Sequence, residues 1–248
     1  MTDLERILND AGVPPEQLSQ FRRYFELLVE RNRVMNLTAI TDEADVARLH
    51  FLDSLALAPL LRAAEATAPV SLIDVGSGAG FPGLPLAIAF PQARFTLLDG
   101  TQKRVDFLKD VAAELKLSNV TAICGRAEEL CSAKQSTENV SRETFSTSNS
   151  REVFEIATAR AVARLSELCE LCLPFVKVGG AFIAMKSTDT DEEIAAAAHA
   201  ITALGGTLEE VRDYTVADVR RRLVIVRKLE PTAAQYPRRY AKIQKQPL

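Results

Sequence analysis

The sequence is poor in the residues that a soft metal needs. Two histidines, His50 and His199, and four cysteines are scattered over 248 residues. Cys169 and Cys172 lie three apart in an apolar helical pattern, Cys124 ends a strand-like run and Cys131 follows it. Paired ligand spacings are missing, so the cysteines read as small buried thiols and no metal is expected. Long hydrophobic runs are missing too. No stretch of about 18 uncharged apolar residues occurs, and Met1-Thr2-Asp3-Leu4-Glu5 lacks the basic start and apolar core of a leader. The expectation is a cytoplasmic protein with no membrane partner. What remains, 47% hydrophobic and 25% charged residues, is ordinary globular composition, enough for one main domain with a small appendage.

Acidic residues are nearly absent from one end. From Arg220 onward nine basic residues stand against the single acid Glu230, so the preceding 219 residues carry −11 of a net charge of −3. A protein that is acidic overall does not coat nucleic acid in bulk, but a concentrated basic end can touch one defined polyanion. Tyr236 and Tyr240 among the arginines favour RNA, whose unpaired bases stack on aromatic faces. A solvated, frayed tail is the alternative.

Residues 1–66 read as a helical segment: Leu18, Phe21, Phe25, Leu28 and Met35 form one stripe after Pro14 and Pro15, and a second helical pattern runs from about Glu43 to Ala66. The stripe is too short for a coiled coil and is expected to pack on the body of the protein. From Val70 strand and helix alternate, with strands expected near 70–75, 94–98, 119–123, 153–158 and 180–185. This rhythm predicts an α/β doubly wound parallel sheet. Leu208–Val216 and Leu223–Val226 follow without room for a crossover helix, so the last strands pair antiparallel. A seven-stranded sheet with one reversed strand resembles the plan of class I S-adenosylmethionine-dependent methyltransferases, an expectation that the turn after the first strand has to meet. The expected organisation is thus a helical segment at 1–66, a cofactor-binding domain at 67–230 and a basic tail at 231–248. Ser132–Ser150, rich in Ser and Thr and without periodicity, reads as a flexible insertion.

The run Leu72-Ile73-Asp74-Val75-Gly76-Ser77-Gly78-Ala79-Gly80-Phe81-Pro82-Gly83 is the chain's most informative stretch. A buried-type strand breaks into glycine before a helix, which is how a backbone approaches a nucleoside. Residues 78–83 satisfy the dinucleotide pattern G-x-G-x-x-G, but a pyrophosphate is ill matched to a carboxylate at the strand end. Asp74 suits a cation, and S-adenosylmethionine (SAM) carries an ammonium and a sulfonium. A second acid, Asp99, ends the next strand. A nicotinamide-dependent dehydrogenase is the rival reading, opposed by Asp74 and by the lack of a second catalytic domain. Gly76, Gly78 and Phe81 are placed to line the methionine and ribose, with Phe81 as a cap. Asp99 is placed to accept from ribose hydroxyls, with Gly100 and Thr101 offering main-chain contacts. Capping the helix that begins near Thr101 is the other role open to Asp99.

Asn36-Leu37-Thr38, Arg48-Leu49-His50-Phe51-Leu52-Asp53-Ser54-Leu55, the glycine turn with Leu84-Pro85-Leu86, Lys103-Arg104-Val105-Asp106-Phe107-Leu108, Gly125-Arg126-Ala127-Glu128-Glu129, Arg160-Ala161 and Leu223-Val224-Ile225-Val226-Arg227-Lys228 occur in order. With these motifs the sequence resembles the bacterial ribosomal RNA small subunit methyltransferase G family (RsmG, also called GidB) over nearly its whole length. Tyr236-Pro237-Arg238-Arg239 resembles the family's tail. The 132–150 insertion and Tyr240-Ala241, where Pro-Gly is expected, depart from it. The resemblance implies a SAM-dependent enzyme that methylates N7 of a guanine in 16S ribosomal RNA, with the ribosomal RNA or the small subunit as partner; a monomeric protein is the expectation. It also implies adenine recognition through main chain at Ala127 and Glu128. The Glu128 and Glu129 side chains equally suit the first turn of a helix.

The fourth strand ends Thr158-Ala159-Arg160-Ala161-Val162, without the Asn- or Asp-Pro-Pro of amine methylation or the Pro-Cys of carbon methylation. Guanine N7 has a lone pair and no proton, so it needs alignment and charge management rather than a base. Arg160 suits guanine O6, a phosphate or the SAM carboxylate, and a structural ion pair is its alternative. Asn36, His50 and Lys186 are the further catalytic candidates. Asn36 equally suits a helix C-cap, His50 a packing role, and Lys186, ending the fifth strand, a substrate phosphate.

Overall fold

The structure, a computed structural model, describes residues 1–132, 150–160 and 163–248. The expected insertion at 132–150 falls almost wholly outside these residues. By contacts the chain forms two compact units: Met1–Cys124 with Tyr214–Arg220, and Gly125–Asp213 with Arg221–Leu248.

The first unit opens with α1 (Asp3–Asp10), whose Thr2 and Glu5 form a reciprocal capping box, and α2 (Pro15–Met35), opened by Pro15 at its first position. The expected second helix is broken into α3 (Glu43–Val46), a π-helical turn (Ala47–Leu52) and α4 (Asp53–Leu55), followed by α5 (Ala58–Glu65). Then come β1 (Ser71–Val75), α6 (Gly83–Ala89), β2 (Arg94–Asp99), α7 (Gln102–Glu114) and β3 (Val120–Cys124). β1, β2 and β3 are parallel in unbroken register. The buried stripe of α2 is Leu18, Phe21, Tyr24 and Leu28; Tyr24 takes the inward place that the hydrophobic pattern gave to Phe25. These side chains share one cluster with Phe51, Phe81, Leu84, Leu97 and Phe107, so the helical segment and the strand–helix repeat bury their apolar faces together.

The second unit contains α8 (Ala127–Leu130), β4 (Phe154–Arg160), α9 (Leu165–Cys172), β5 (Val176–Ser187), α10 (Asp191–Ala196) and α11 (Ala198–Ala203). It also holds most of β6 (Gly206–Val216) and β7 (Val219–Lys228), and α12 (Tyr240–Lys245). β4 and β5 are parallel, and β7 runs antiparallel to β5. The full order is β3-β2-β1-β4-β5-β7-β6. β6 and β7 are joined through Ala217 and Asp218 at φ +48 and +62, the left-handed pair that a two-residue hairpin requires. Cys131, Cys169 and Cys172 are buried, and burial pushes the Cys131 and Cys169 thiols up; Cys124, expected inside, is exposed on β3. Among the described residues no helix is long and apolar enough to cross a membrane, and no group of three His, Cys, Asp or Glu side chains is placed to hold a metal.

Candidate cofactor site

After β1 the chain turns through residues 76–83 into α6, and this turn is latched to the neighbouring strand by its own amides. Gly76 and Ser77 both donate to the Leu98 carbonyl, at 2.8 and 3.1 Å. One residue on, the buried Asp99 carboxylate accepts from the Gly78 amide at 3.0 Å through Oδ2 and from the Thr101 amide at 2.8 Å through Oδ1. Arg104 Nη1 lies 3.6 Å from Asp99 Oδ2. A carboxylate has about four lone-pair sites, so acceptor capacity for ribose hydroxyls remains. Asp99 thus ties the turn to the residue ahead of α7; the N-cap of α7 is Thr101, without a side-chain cap bond, so Asp99 does not take the capping role that the sequence left open to it. Gly100 and Thr101 are exposed beside it.

Asp74 is wholly buried, and its Oδ2 accepts from the Gly83 amide at 3.0 Å. The sequence pointed this acid at a cation; the fold commits one of its oxygens to the first turn of α6, where an amide lacks an intrahelical partner. Gly80, at φ +103, would place a Cβ 2.6 Å from the Tyr24 hydroxyl, and Gly83 one 2.2 Å from Leu97 Cδ2. At Gly78, φ +58, a Cβ would meet nothing nearer than the Gly76 carbonyl at 3.9 Å. The turn is therefore packed on its core side and open at Gly78, next to a buried acceptor. That arrangement fits the nucleoside part of SAM.

The packed side is aromatic. Tyr24 donates its hydroxyl to the Ala79 carbonyl at 2.5 Å, and its ring stacks on Phe51 and tilts against Phe81 at 5.3 and 5.5 Å. His50, carried by the π-helical turn, stacks on Phe81 at 4.4 Å. Its Nε2 lies 2.8 Å from Thr38 Oγ1 and its Nδ1 3.2 Å from the Leu49 carbonyl, so with Nδ1 protonated the ring donates to Leu49 and accepts from Thr38. Phe81, expected as a lid, is only 5% exposed and faces this cluster. Asn36 is the left-handed C-cap of α2 (φ +48), exposed, with its amide on the Asn32 carbonyl at 3.3 Å. Its neighbour Asn32, which sequence reasoning missed, clasps both main-chain groups of Thr38 at 2.9 Å. Tyr24 was missed because the hydrophobic pattern gave the inward place to Phe25, and the carbonyl that Tyr24 meets lies 55 residues away.

In the second unit Ala127 is buried and Glu128 half-buried at the start of α8. Burial holds the Glu128 carboxyl above the usual carboxylate range, opposed by its own backbone hydrogen bond and by the Arg126 charge. The Arg126 guanidinium lies over the Tyr240 ring, 5.7 Å from its centre. Arg160 ends β4 in register with Met185. Lys186 donates to the Ala163 carbonyl at 2.8 Å and to Glu193 at 2.6 Å, beside a cavity of about 630 Å³ that Arg164, Ser166 and Glu192 also line. Its ammonium ties β5 to α10, so a phosphate would meet it already neutralised.

A parallel-cored seven-stranded sheet with β7 reversed, a glycine turn after β1 and a buried acid closing β2 define a class I SAM-dependent methyltransferase. The same fold is seen in a SAM-dependent O-methyltransferase from Thermotoga maritima, with a TM-score of 0.51 at 14% identity over 83% of this chain and 72% of that one. The model of the family described as rRNA small subunit methyltransferase G matches residues 17–224, and the chain belongs to that family. A ribosomal RNA small subunit methyltransferase G from Leuconostoc citreum is 47% identical over 97% of this chain and 96% of its own. Another from Geobacillus kaustophilus is 41% identical over 100% and 98%. The cofactor is S-adenosyl-L-methionine.

Proposed function

We propose that the protein transfers a methyl group from SAM to N7 of a guanine in 16S ribosomal RNA, in the cytoplasm. The observation that carries this reading is the end of β4 in a chain of this family: Thr158-Ala159-Arg160 offers neither the amide, the acid nor the thiol that methylation of an amine or a carbon uses.

Bound SAM supplies an electrophilic methyl group on a sulfonium. Guanine N7 presents a lone pair without a proton, so no side chain has to remove one, and the protein's task is binding, alignment and charge. Asp99 accepts from the ribose hydroxyls with the capacity its two amide bonds leave, and the open backbone at Gly76 and Gly78 lies against ribose and methionine. Ala127 and Glu128 hold the adenine edge through main chain. Arg160 aligns the base or a phosphate through its planar fork, leaving N7 clear. His50 and Asn36 act on the turn and on the end of α2 rather than on the base.

The test is incubation of labelled SAM with small subunits lacking the modification, followed by cleavage chemistry specific for N7-methylated guanine. A label at a guanine N7 is expected; a label on an amine or a carbon overturns the reading. Binding of S-adenosylhomocysteine without turnover would instead mark a non-catalytic assembly factor. Arg160→Ala is expected to cost on the order of 10² in single-turnover rate, with little recovered by Arg160→Lys.

A further inference from the structure

The basic end is not frayed. Arg151 donates to the carbonyls of Thr232, of Ala233 at 3.1 Å and of Tyr236 at 2.7 Å, so one guanidinium gathers three carbonyls of the segment after β7. Glu152 accepts from the Thr232 amide at 2.6 Å. Lys228, wholly buried, donates to the Leu173 carbonyl at 2.8 Å and to the Thr232 hydroxyl, which itself donates to the Leu204 carbonyl at 2.9 Å. Further on, the wholly buried Glu170 takes the Arg238 amide at 2.8 Å and grips its guanidinium at 2.6–3.1 Å. Tyr240 lies against Arg126, and Ile243 of α12 is buried. Taking charges such as Lys228 and Glu170 out of water is costly until pairing repays it. Here that cost is met to hold a surface segment in one shape.

This anchoring sorts the basic residues. Arg238 is committed to Glu170 and is no phosphate ligand. Arg239, Lys242 and Lys245 are exposed, make no ion pair among the described residues, and have no acid between 231 and 248 to neutralise them. Lys242 and Lys245 lie one helical turn apart on α12, and Arg239 is its N-cap residue. We propose that Arg239, Lys242 and Lys245 form a fixed basic ridge that contacts the phosphate backbone of the RNA substrate. The ridge rests on the reading of 16S ribosomal RNA as substrate. Because it is rigid before contact, binding orders little chain, and its contribution is electrostatic and independent of base sequence.

The experiment compares the wild-type chain with the triple variant Arg239→Gln, Lys242→Gln, Lys245→Gln for binding to an unmodified 16S ribosomal RNA transcript over a range of salt. Affinity near 0.1 M salt is expected to fall roughly 10-fold or more, and the slope of log K against log salt to flatten by about 2, the loss of three phosphate contacts. S-adenosylhomocysteine affinity and melting temperature are expected to stay unchanged, because no substituted side chain is anchored. Unchanged affinity and slope overturn the ridge. A wild-type protein that neither binds nor methylates the transcript or the small subunit overturns the substrate reading itself, whatever the variant does.

Discussion

The glycine turn at residues 76–83 and the basic segment at residues 231–245 are both held to fixed shapes, the first largely by its own main chain and the second by side chains from far along the sequence. Amides at Gly76, Ser77, Gly78 and Gly83 carry the turn, with partners on β1 and β2 and one tyrosine behind. Arg151, Glu170 and Lys228 carry the segment. A turn that must let a ligand's atoms approach its backbone leaves little room for side chains. A segment that must show its own side chains to solvent has to be fastened by others. The comparison predicts that the turn fails through lost space and the segment through lost charge.

The largest effect is expected at Gly83, where an added Cβ meets Leu97 and Asp74 at once. Gly83→Val should lower stability by roughly 3 kcal/mol or more, read by denaturant unfolding, and abolish S-adenosylhomocysteine binding. Asp99→Ala leaves the fold's space intact but removes the acceptor, and calorimetry should show cofactor-product affinity weakened by about 1–3 kcal/mol. Unchanged affinity would confine Asp99 to serving the Gly78 and Thr101 amides. Tyr24→Phe keeps the ring and loses only the donor to Ala79, for which about 1 kcal/mol in affinity is expected with little change in RNA binding.

The remaining effect lies on the charged side and shows in pH dependence. Burial lowers Lys228 from 10.5 to about 8, opposed by Glu152. Between these values the unfolded chain holds a proton that the folded chain has released, so this residue makes stability rise with pH from about 8 towards 10.5. Relative to Lys228→Met, the wild type should gain on the order of 1–3 kcal/mol across that window, measured by urea unfolding at several pH values. A pH-independent difference would mean that Lys228 stays protonated when folded.

The same contrast explains what was legible in the sequence. Strand ends, the reversed last strand and the glycine turn follow from local periodicity and from residues whose backbone freedom is intrinsic, and they lie within a few residues of their expected places. β5 is the exception, beginning at Val176 rather than near 180, because Gly179 and Gly180 interrupt the apolar run without ending the strand. The site's supports were not legible. Arg151 meets carbonyls more than 80 residues away and Arg238 finds Glu170 across 68, separations that carry no periodic signal. The π-helical turn that seats His50 on Phe81 left no mark either, since its hydrophobic pattern differs from that of an α-helix by a single residue.

The position of β7 orders the protein in time as well as in space. It is the last strand to be made, yet it lies between β5 and β6, pairing with the Ala181–Ser187 part of β5. Until the ribosome has passed Lys228, a growing chain carries Phe182, Ile183, Ala184 and Met185 on an open strand edge, the kind of edge that recruits strands from other chains. A chain halted before Val219 would contain every turn and acid of the cofactor site and still be prone to aggregate.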